Sequence, residues 1–123
     1  EMRRVTRRGG VVAACVWDYA GDRGPLAVFW DAARVIQPSV RDESGLPGTR
    51  EAHLVELFVA AGLRDVVPAV LHATIEHATF AAWWEPFTKG AGPAGAFVAG
   101  LDREQRERLR HECERRLSAA RSW

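Results

Sequence analysis

The sequence predicts an α/β fold, in which strands alternate with helices. Residues 11–17 (VVAACVW) are a continuous apolar run of small and β-branched side chains, which is typical of a parallel strand buried on both faces. Two stretches with helical spacing follow, and loose alternation over residues 67–75 indicates a second strand. The order strand, helix, helix and strand is that of a βα unit.

Length and composition indicate one small globular domain. The chain has 123 residues, of which 47% are hydrophobic and 27% are charged, and its net charge is +1. This balance gives no broad attraction to nucleic acids or membrane surfaces, so we expect neither as a partner. Because no apolar run approaches the roughly 20 residues that span a bilayer and the first eight residues are mostly polar, we expect a soluble cytoplasmic protein.

The first part of the chain gives three local signals. Residues 1–6 resemble the end of a helix, which Gly9 and Gly10 would stop. After the strand, residues 21–25 indicate a loop, and Pro25 suits the first turn of a helix over residues 25–37. The apolar side chains of that helix recur at helical spacing: Leu26, Phe29, Trp30, Ala33 and Ile36.

The middle of the chain indicates a loop, a helix and an edge strand. Residues 38–48 are rich in turn-forming side chains, and Thr49 is a candidate N-cap for a helix that ends at Gly62. In the strand that follows, Pro68 favours an edge position because it cannot donate a ladder hydrogen bond.

The last part indicates helices separated by a glycine-rich loop. Thr79 begins a short aromatic helix, residues 89–95 form the loop, and residues 96–100 form a turn or short helix. Asp102, with Gln105 three residues later, forms a capping box for a helix over residues 102–118. The charges of that helix predict a solvated face, so we do not expect it to bind nucleic acid.

Three segments, taken in order, resemble class I S-adenosylmethionine-dependent methyltransferases. EMRRVTRRGGVVAACVWDY is similar to the family's helix end, Pro-Gly-Gly turn and strand five, with Arg8 where the family usually has Pro. TREAHLVELFVAAGLRDVV is similar to the helix that leads into strand six. ATFAAWWEPFTKGAGPAGAFVAGLDREQRERLRHECERRL is similar to a C-terminal insert of members that act on small molecules.

The resemblance implies the C-terminal half of a doubly wound, Rossmann-like sheet. Strand five would lie in residues 1–24, helices in 25–62, strand six in 63–78 and a helical insert in 79–123. The family's glycine-rich cofactor turn and ribose-binding acid have no counterpart, because Gly90, Gly92 and Gly95 follow no predicted strand. We therefore expect a fragment that supplies the substrate side and that neither binds S-adenosyl-L-methionine nor reacts alone.

Two groups of residues are candidates for binding the substrate. Substrates of such sheets lie outside the carboxyl ends of strands, where Trp17 and Tyr19 would form apolar walls and Asp18 a polar contact. Alternatively, Trp17 is a core residue and Asp18 caps the next turn. The second group is aromatic and either faces a pocket, with one of the adjacent tryptophans at its lid, or simply forms the core. Its members are Phe29, Trp30, Trp83, Trp84 and Phe87.

The sequence does not single out a general base or a metal site. Asp18, His72 and Glu85 are equal candidates for the base. His72 and His77 would point to opposite faces of a strand, so we expect no metal there, and Cys15 should be a buried, inert thiol.

Two other functions remain open. Exposed strand edges would suit a non-catalytic α+β module that forms a homodimer, or that needs a missing N-terminal half of the protein. The tryptophan cluster would suit a protein that binds a small apolar ligand.

Overall fold

The described chain is built from helices and irregular segments. A computed structural model describes residues 1–21 and 24–120, so Asp22 and Arg23 of the predicted loop lie outside the described residues. The helices are α1 (Met2–Val5), α2 (Ala27–Ile36), α3 (His53–Ala60), α4 (Phe80–Thr88), α5 (Gly92–Gly100) and α6 (Arg103–Ala120), with one 3₁₀ turn at Glu43–Gly45. No strand occurs in these two ranges, and the predicted α/β fold, with its Rossmann-like doubly wound sheet, is therefore wrong.

The two predicted strands are irregular and largely exposed. Residues 11–16 and 64–76 make no backbone–backbone hydrogen bond to any described residue. A strand exists only when a neighbour completes its ladder of hydrogen bonds, and neither segment has one in this part of the chain. Their apolar side chains consequently face solvent, with Val11 89% and Val67 87% exposed. Cys15 is exposed as well, so the prediction of a buried thiol is wrong.

The chain divides into two compact units. The first comprises Glu1–Gly24 and Glu43–Ala73, and the second comprises Pro25–Asp42 and Thr74–Trp123. In the first unit, Arg3 of α1 donates a hydrogen bond from Nη1 to the carbonyl oxygen of Ala61, at 2.7 Å. This contact joins α1 to the end of α3.

The second unit has a helical core. Helix α2 packs along α6, and α4 packs against α5. Phe29, Leu109 and Cys113 are completely buried, and the latter two lie one turn apart on the same face of α6. The whole core is Phe29, Trp30, Ala32, Ala33, Trp83, Trp84, Phe87, Ala94, Val98, Leu101, Leu109 and Cys113.

Capping residues fix the starts of two helices as predicted. The Thr79 hydroxyl accepts a hydrogen bond from the Ala82 N–H at 3.1 Å, at the start of α4. In the capping box of α6, the Gln105 N–H donates to Asp102 Oδ1 at 2.8 Å, and the Asp102 N–H donates to Gln105 Oε1 at 3.3 Å.

Two other helix starts differ from the prediction. Helix α3 begins at His53 after Ala52, which has a left-handed backbone with φ of 62°, so Thr49 is not its N-cap. Helix α5 begins at Gly92, inside the predicted loop, with a proline in its first turn. The predicted end of α3 is confirmed, because Gly62 follows it with φ of +75°.

The described helices show no membrane span. Helix α6 has 18 residues but is dominated by charged side chains. Across residues 1–21 and 24–120, no helix combines the length and apolar character that crossing a bilayer requires.

Candidate functional site

The first predicted site residues lie in a tight turn of the first unit. The Gly21 N–H donates to Asp18 Oδ1 at 2.9 Å, and the Tyr19 N–H donates to the Trp17 carbonyl oxygen at 3.0 Å. Asp18 therefore caps this turn, which is the structural alternative to its predicted role as a substrate contact. Trp17 is 41% exposed, so it is not a core residue.

A second turn, Glu43 to Thr49, packs beside the first. The Ala20 N–H donates to the carbonyl oxygen of Thr49 at 3.1 Å, which links the two turns. Thr49 is buried, and its hydroxyl lies 2.7 Å from the Leu46 carbonyl oxygen and 3.0 Å from that of Ser44, to which it donates. Thr49 thus holds its own turn closed, which explains why it does not cap α3.

Gly48 completes the second turn. Its N–H donates to Nδ1 of His53 at 3.1 Å. Its φ is +93°, and a Cβ there would lie 3.1 Å from Cδ2 of Leu54 and 3.8 Å from Cγ1 of Val16. Glycine is therefore required both by the backbone angle and by these two apolar neighbours.

Tyr19 and Glu43 meet where the two turns pack together. The Tyr19 ring lies against the backbone of Gly24, because a Cβ on Gly24 would be 2.9 Å from Cδ1 of the ring. Burial raises the pKa of the Tyr19 phenol, and the negative charge of Glu43 raises it further. We call Trp17, Asp18, Tyr19, Glu43 and Thr49 the Tyr19–Glu43 corner.

Glu43 is the polar residue of the corner that sequence reasoning missed. It is only 8% exposed, and its Oε2 has no hydrogen-bond partner among the residues that the structure describes. In the sequence it lies in a polar stretch predicted to be a loop, next to Asp42, with no spacing that distinguishes the two acids. Only the folded structure distinguishes them, because Asp42 accepts a hydrogen bond from Arg34, whereas Oε2 of Glu43 has no partner among the described residues.

The second predicted group forms the core of the second unit. The rings of Phe29 and Phe87 stack with their centroids 4.6 Å apart, and Trp30 meets Phe29 edge-on at 5.0 Å. The ring of Trp83 lies 4.9 Å from that of Phe87, and the ring of Trp84 lies 5.8 Å from it. These rings pack against one another, so this group forms the core, which was one of its two predicted roles.

Both adjacent tryptophans pack into the core of the second unit, and Trp84 also borders a surface depression. Trp83 and Trp84 are both buried, at 8% and 6% exposure. The rings of both tryptophans contact Phe80, which precedes them in α4, and Phe87, which follows them. Two neighbouring positions of this helix can both be buried because Phe80 and Phe87 of the same helix cover part of each tryptophan ring.

The remaining candidates for a general base are exposed. Glu85 pairs with Nζ of Lys89 at 2.7 Å, and this contact lowers the pKa of the carboxyl group. His72 lies in the exposed irregular segment. Glu85 also borders an open depression of about 550 Å³, whose lining consists of Ala81, Ala82, Trp84, Glu85, Thr88 and Arg110. Within the described ranges, no three His, Cys, Asp or Glu side chains are grouped as metal ligands.

The glycine-rich segment between α4 and α5 forms a closely packed turn. The glycines between α4 and α5 have a structural explanation, because a Cβ on Gly95 would lie 2.4 Å from the carbonyl carbon of Gly90. Gly95 thus allows α5 to pack on the preceding turn. No strand precedes these glycines in the described chain, whereas dinucleotide-type sites place the glycine-rich turn directly after one.

Comparison with family models, curated proteins and solved structures finds no match for this chain.

Proposed function

We propose that this chain is part of a class I S-adenosylmethionine-dependent methyltransferase and that it supplies residues on the side of a small-molecule substrate. The observation that carries the proposal is the order of the three resembling sequence segments, which together cover nearly the whole chain. The described chain contains no sheet, so the support comes from these segments and from the surfaces that the chain exposes.

The exposed apolar segments support a function in contact with further polypeptide. Residues 11–16 and 64–76 leave their backbone groups without backbone partners in the described chain. They also expose large side chains, with Leu71 at 80% and Val70 at 77%. Large apolar side chains exposed together along one segment favour a site that another protein surface covers. This is consistent with a cofactor pocket that lies outside the present sequence.

The Tyr19–Glu43 corner is the part of the chain that would hold the substrate. Trp17 is 41% exposed and offers apolar surface in the first turn, and the second turn contributes the buried carboxylate of Glu43. Hydrogen bonds within the first turn, and one hydrogen bond from Ala20 to Thr49 of the second turn, hold the backbone that carries these side chains. Fixed geometry matters because orientation of reactants alone can supply several kcal/mol of a reaction barrier, roughly 7–11 in favourable cases.

Calorimetry with S-adenosyl-L-homocysteine tests the proposal. Two proteins would be compared, namely this chain and the full polypeptide that its gene encodes, with adenosine as the control ligand. We expect no heat of binding for the chain and micromolar binding for the full polypeptide. A full polypeptide that does not bind the ligand would refute the methyltransferase assignment, and micromolar binding by the chain alone would refute its assignment to the substrate side only.

A second candidate is a non-catalytic module that forms a homodimer. The same exposed segments favour it, because two copies could cover each other's apolar surface. Size-exclusion chromatography with light scattering tests this candidate, for which we expect a mass of twice 13.6 kDa. A monomer at high micromolar concentration would contradict it.

A further inference from the structure

The carboxylate of Glu43 is buried, and one of its oxygens has no hydrogen-bond partner in the part of the chain that the structure describes. Its Oε2 has no hydrogen-bond partner among residues 1–21 and 24–120, and no described cation forms an ion pair with it. The other polar groups of its turn are already engaged, since the Thr49 hydroxyl donates within the turn and the Gly48 N–H donates to His53. The described residues therefore supply no donor for this oxygen.

A carboxylate in this position is costly for the protein. Removing a charge from water without a partner is among the least favourable events in folding. Buried side-chain oxygens are nearly always hydrogen-bonded, so an exception calls for an explanation. Burial, and then the charge of Glu43, raise the pKa of the neighbouring Tyr19 phenol.

The surroundings of Glu43 combine one charge with apolar surface. The Tyr19 ring packs beside it against Gly24, and the adjacent Trp17 is partly exposed. Val16 and Leu54 lie against Gly48 of the same turn. A molecule that fits such a place needs a positively charged donor at one end and an apolar body at the other.

We propose that Glu43 and Tyr19 form a binding site for a primary amine carried on an apolar body, with the ammonium group donating a hydrogen bond to Oε2 of Glu43. An ammonium meets both requirements of the carboxylate, because it neutralises the charge and donates a hydrogen bond. A hydroxyl group would meet only the second. The inference deepens the proposed function, on which it rests for its biological role, by naming apolar amines as the substrate class.

Calorimetric titration of this chain with three matched probes tests the site. The probes are 2-phenylethylamine, 2-phenylethanol and 3-phenylpropionate, which carry a cationic, a neutral and an anionic group on similar bodies. We expect the amine to bind at least about tenfold more tightly than the alcohol, because a charge-assisted hydrogen bond is the stronger one. The carboxylate should bind weakest. Equal affinities of amine and alcohol for the wild-type chain would overturn the proposal without any variant.

Substitutions then locate the binding. Glu43→Gln keeps the size of the side chain and removes its charge, and we expect it to weaken amine binding about tenfold to a hundredfold while leaving alcohol binding unchanged. Glu104→Gln, at an exposed position of α6, is the matched control and should bind the amine like the wild type. Unchanged amine affinity of Glu43→Gln would overturn the site.

The two proposals fail separately. Amine binding is measured on this chain without S-adenosyl-L-homocysteine, whereas the methyltransferase assignment is measured with that ligand on the full polypeptide. Loss of charge selectivity would remove the amine site and leave the assignment standing. Failure of the full polypeptide to bind S-adenosyl-L-homocysteine would remove the assignment and leave an amine-binding protein.

Discussion

Replacement of Gly95 by alanine tests how closely α5 packs on the turn before it. A Cβ at this position would lie 2.4 Å from the carbonyl carbon of Gly90 and 2.8 Å from its Cα. Both atoms belong to the backbone, so the contact cannot be relieved by a side-chain rotation. Gly90 itself has φ of +71°, which leaves the turn few alternatives.

The expected magnitude follows from two opposing effects. Alanine gains about 1 kcal/mol over glycine inside a helix, and forced overpacking typically costs about 1–3 kcal/mol. Because backbone must move here, we expect the upper end of that cost and a net loss of about 1–2 kcal/mol in the free energy of unfolding. For a unit of this size, such a loss lowers the melting temperature by roughly 5–15 °C.

Gly100, at the end of the same helix, provides the matched control. No heavy atom lies within 4 Å of a Cβ built there, so Gly100→Ala should melt at or above the wild-type temperature. Thermal unfolding followed by circular dichroism at the helix band measures both variants. If Gly95→Ala melts together with Gly100→Ala, the close packing of α5 on Gly90 is refuted.

Three further predictions follow from the same core and its surface. Burial, together with the charge of Glu112, raises the pKa of the Cys113 thiol to about 12. A thiol reagent near pH 8 should therefore label only the exposed Cys15 in the folded chain. Rapid labelling of both thiols would contradict this prediction. Leu109→Ala removes a completely buried side chain and should cost about 2–5 kcal/mol of stability, and a loss below about 1 kcal/mol in chemical denaturation would show that the α2–α6 contact is loose. Hydrogen bonds from Arg115 and then Arg116 lower the pKa of Glu112 to about 2 from its ordinary value of 4.5. The contribution of the ionised Glu112 to the free energy of unfolding is therefore complete above pH 4.5 and disappears as the pH falls toward 2. Glu112→Gln should flatten the dependence of stability on pH in that window, and identical pH profiles of variant and wild type would contradict the pairing.

The helix boundaries show how far local signals reach. Thr79, Asp102 and Gln105 were predictable caps because each bonds to a backbone group only three residues away. Gly62 is a similar local stop, with a left-handed backbone. Thr49 has the same side-chain chemistry, yet it closes a different turn, since its partners are the carbonyl groups of Ser44 and Leu46. A cap is predictable only when nothing else competes for the hydroxyl.

The two apolar runs show where local signals fail. Residues 11–17 and 67–75 have the composition of strands, and that composition does predict a preference for burial. Whether a strand forms depends on a second backbone, which no property of the run itself specifies. Glu43 illustrates the same limit for the candidate site, because its burial depends on how its turn packs and not on its neighbours in sequence.

Most helices, several of their ends and the aromatic side chains of the core were predictable from local sequence, because helix hydrogen bonds and caps connect residues close along the chain. Three outcomes were not predictable in this way: the β-like runs have no strand partner in the described chain, both adjacent tryptophans are buried, and one carboxylate of a polar loop is buried without a described partner for Oε2. These outcomes depend on contacts between distant segments, and the free energy of such contacts is not written in any single stretch of residues.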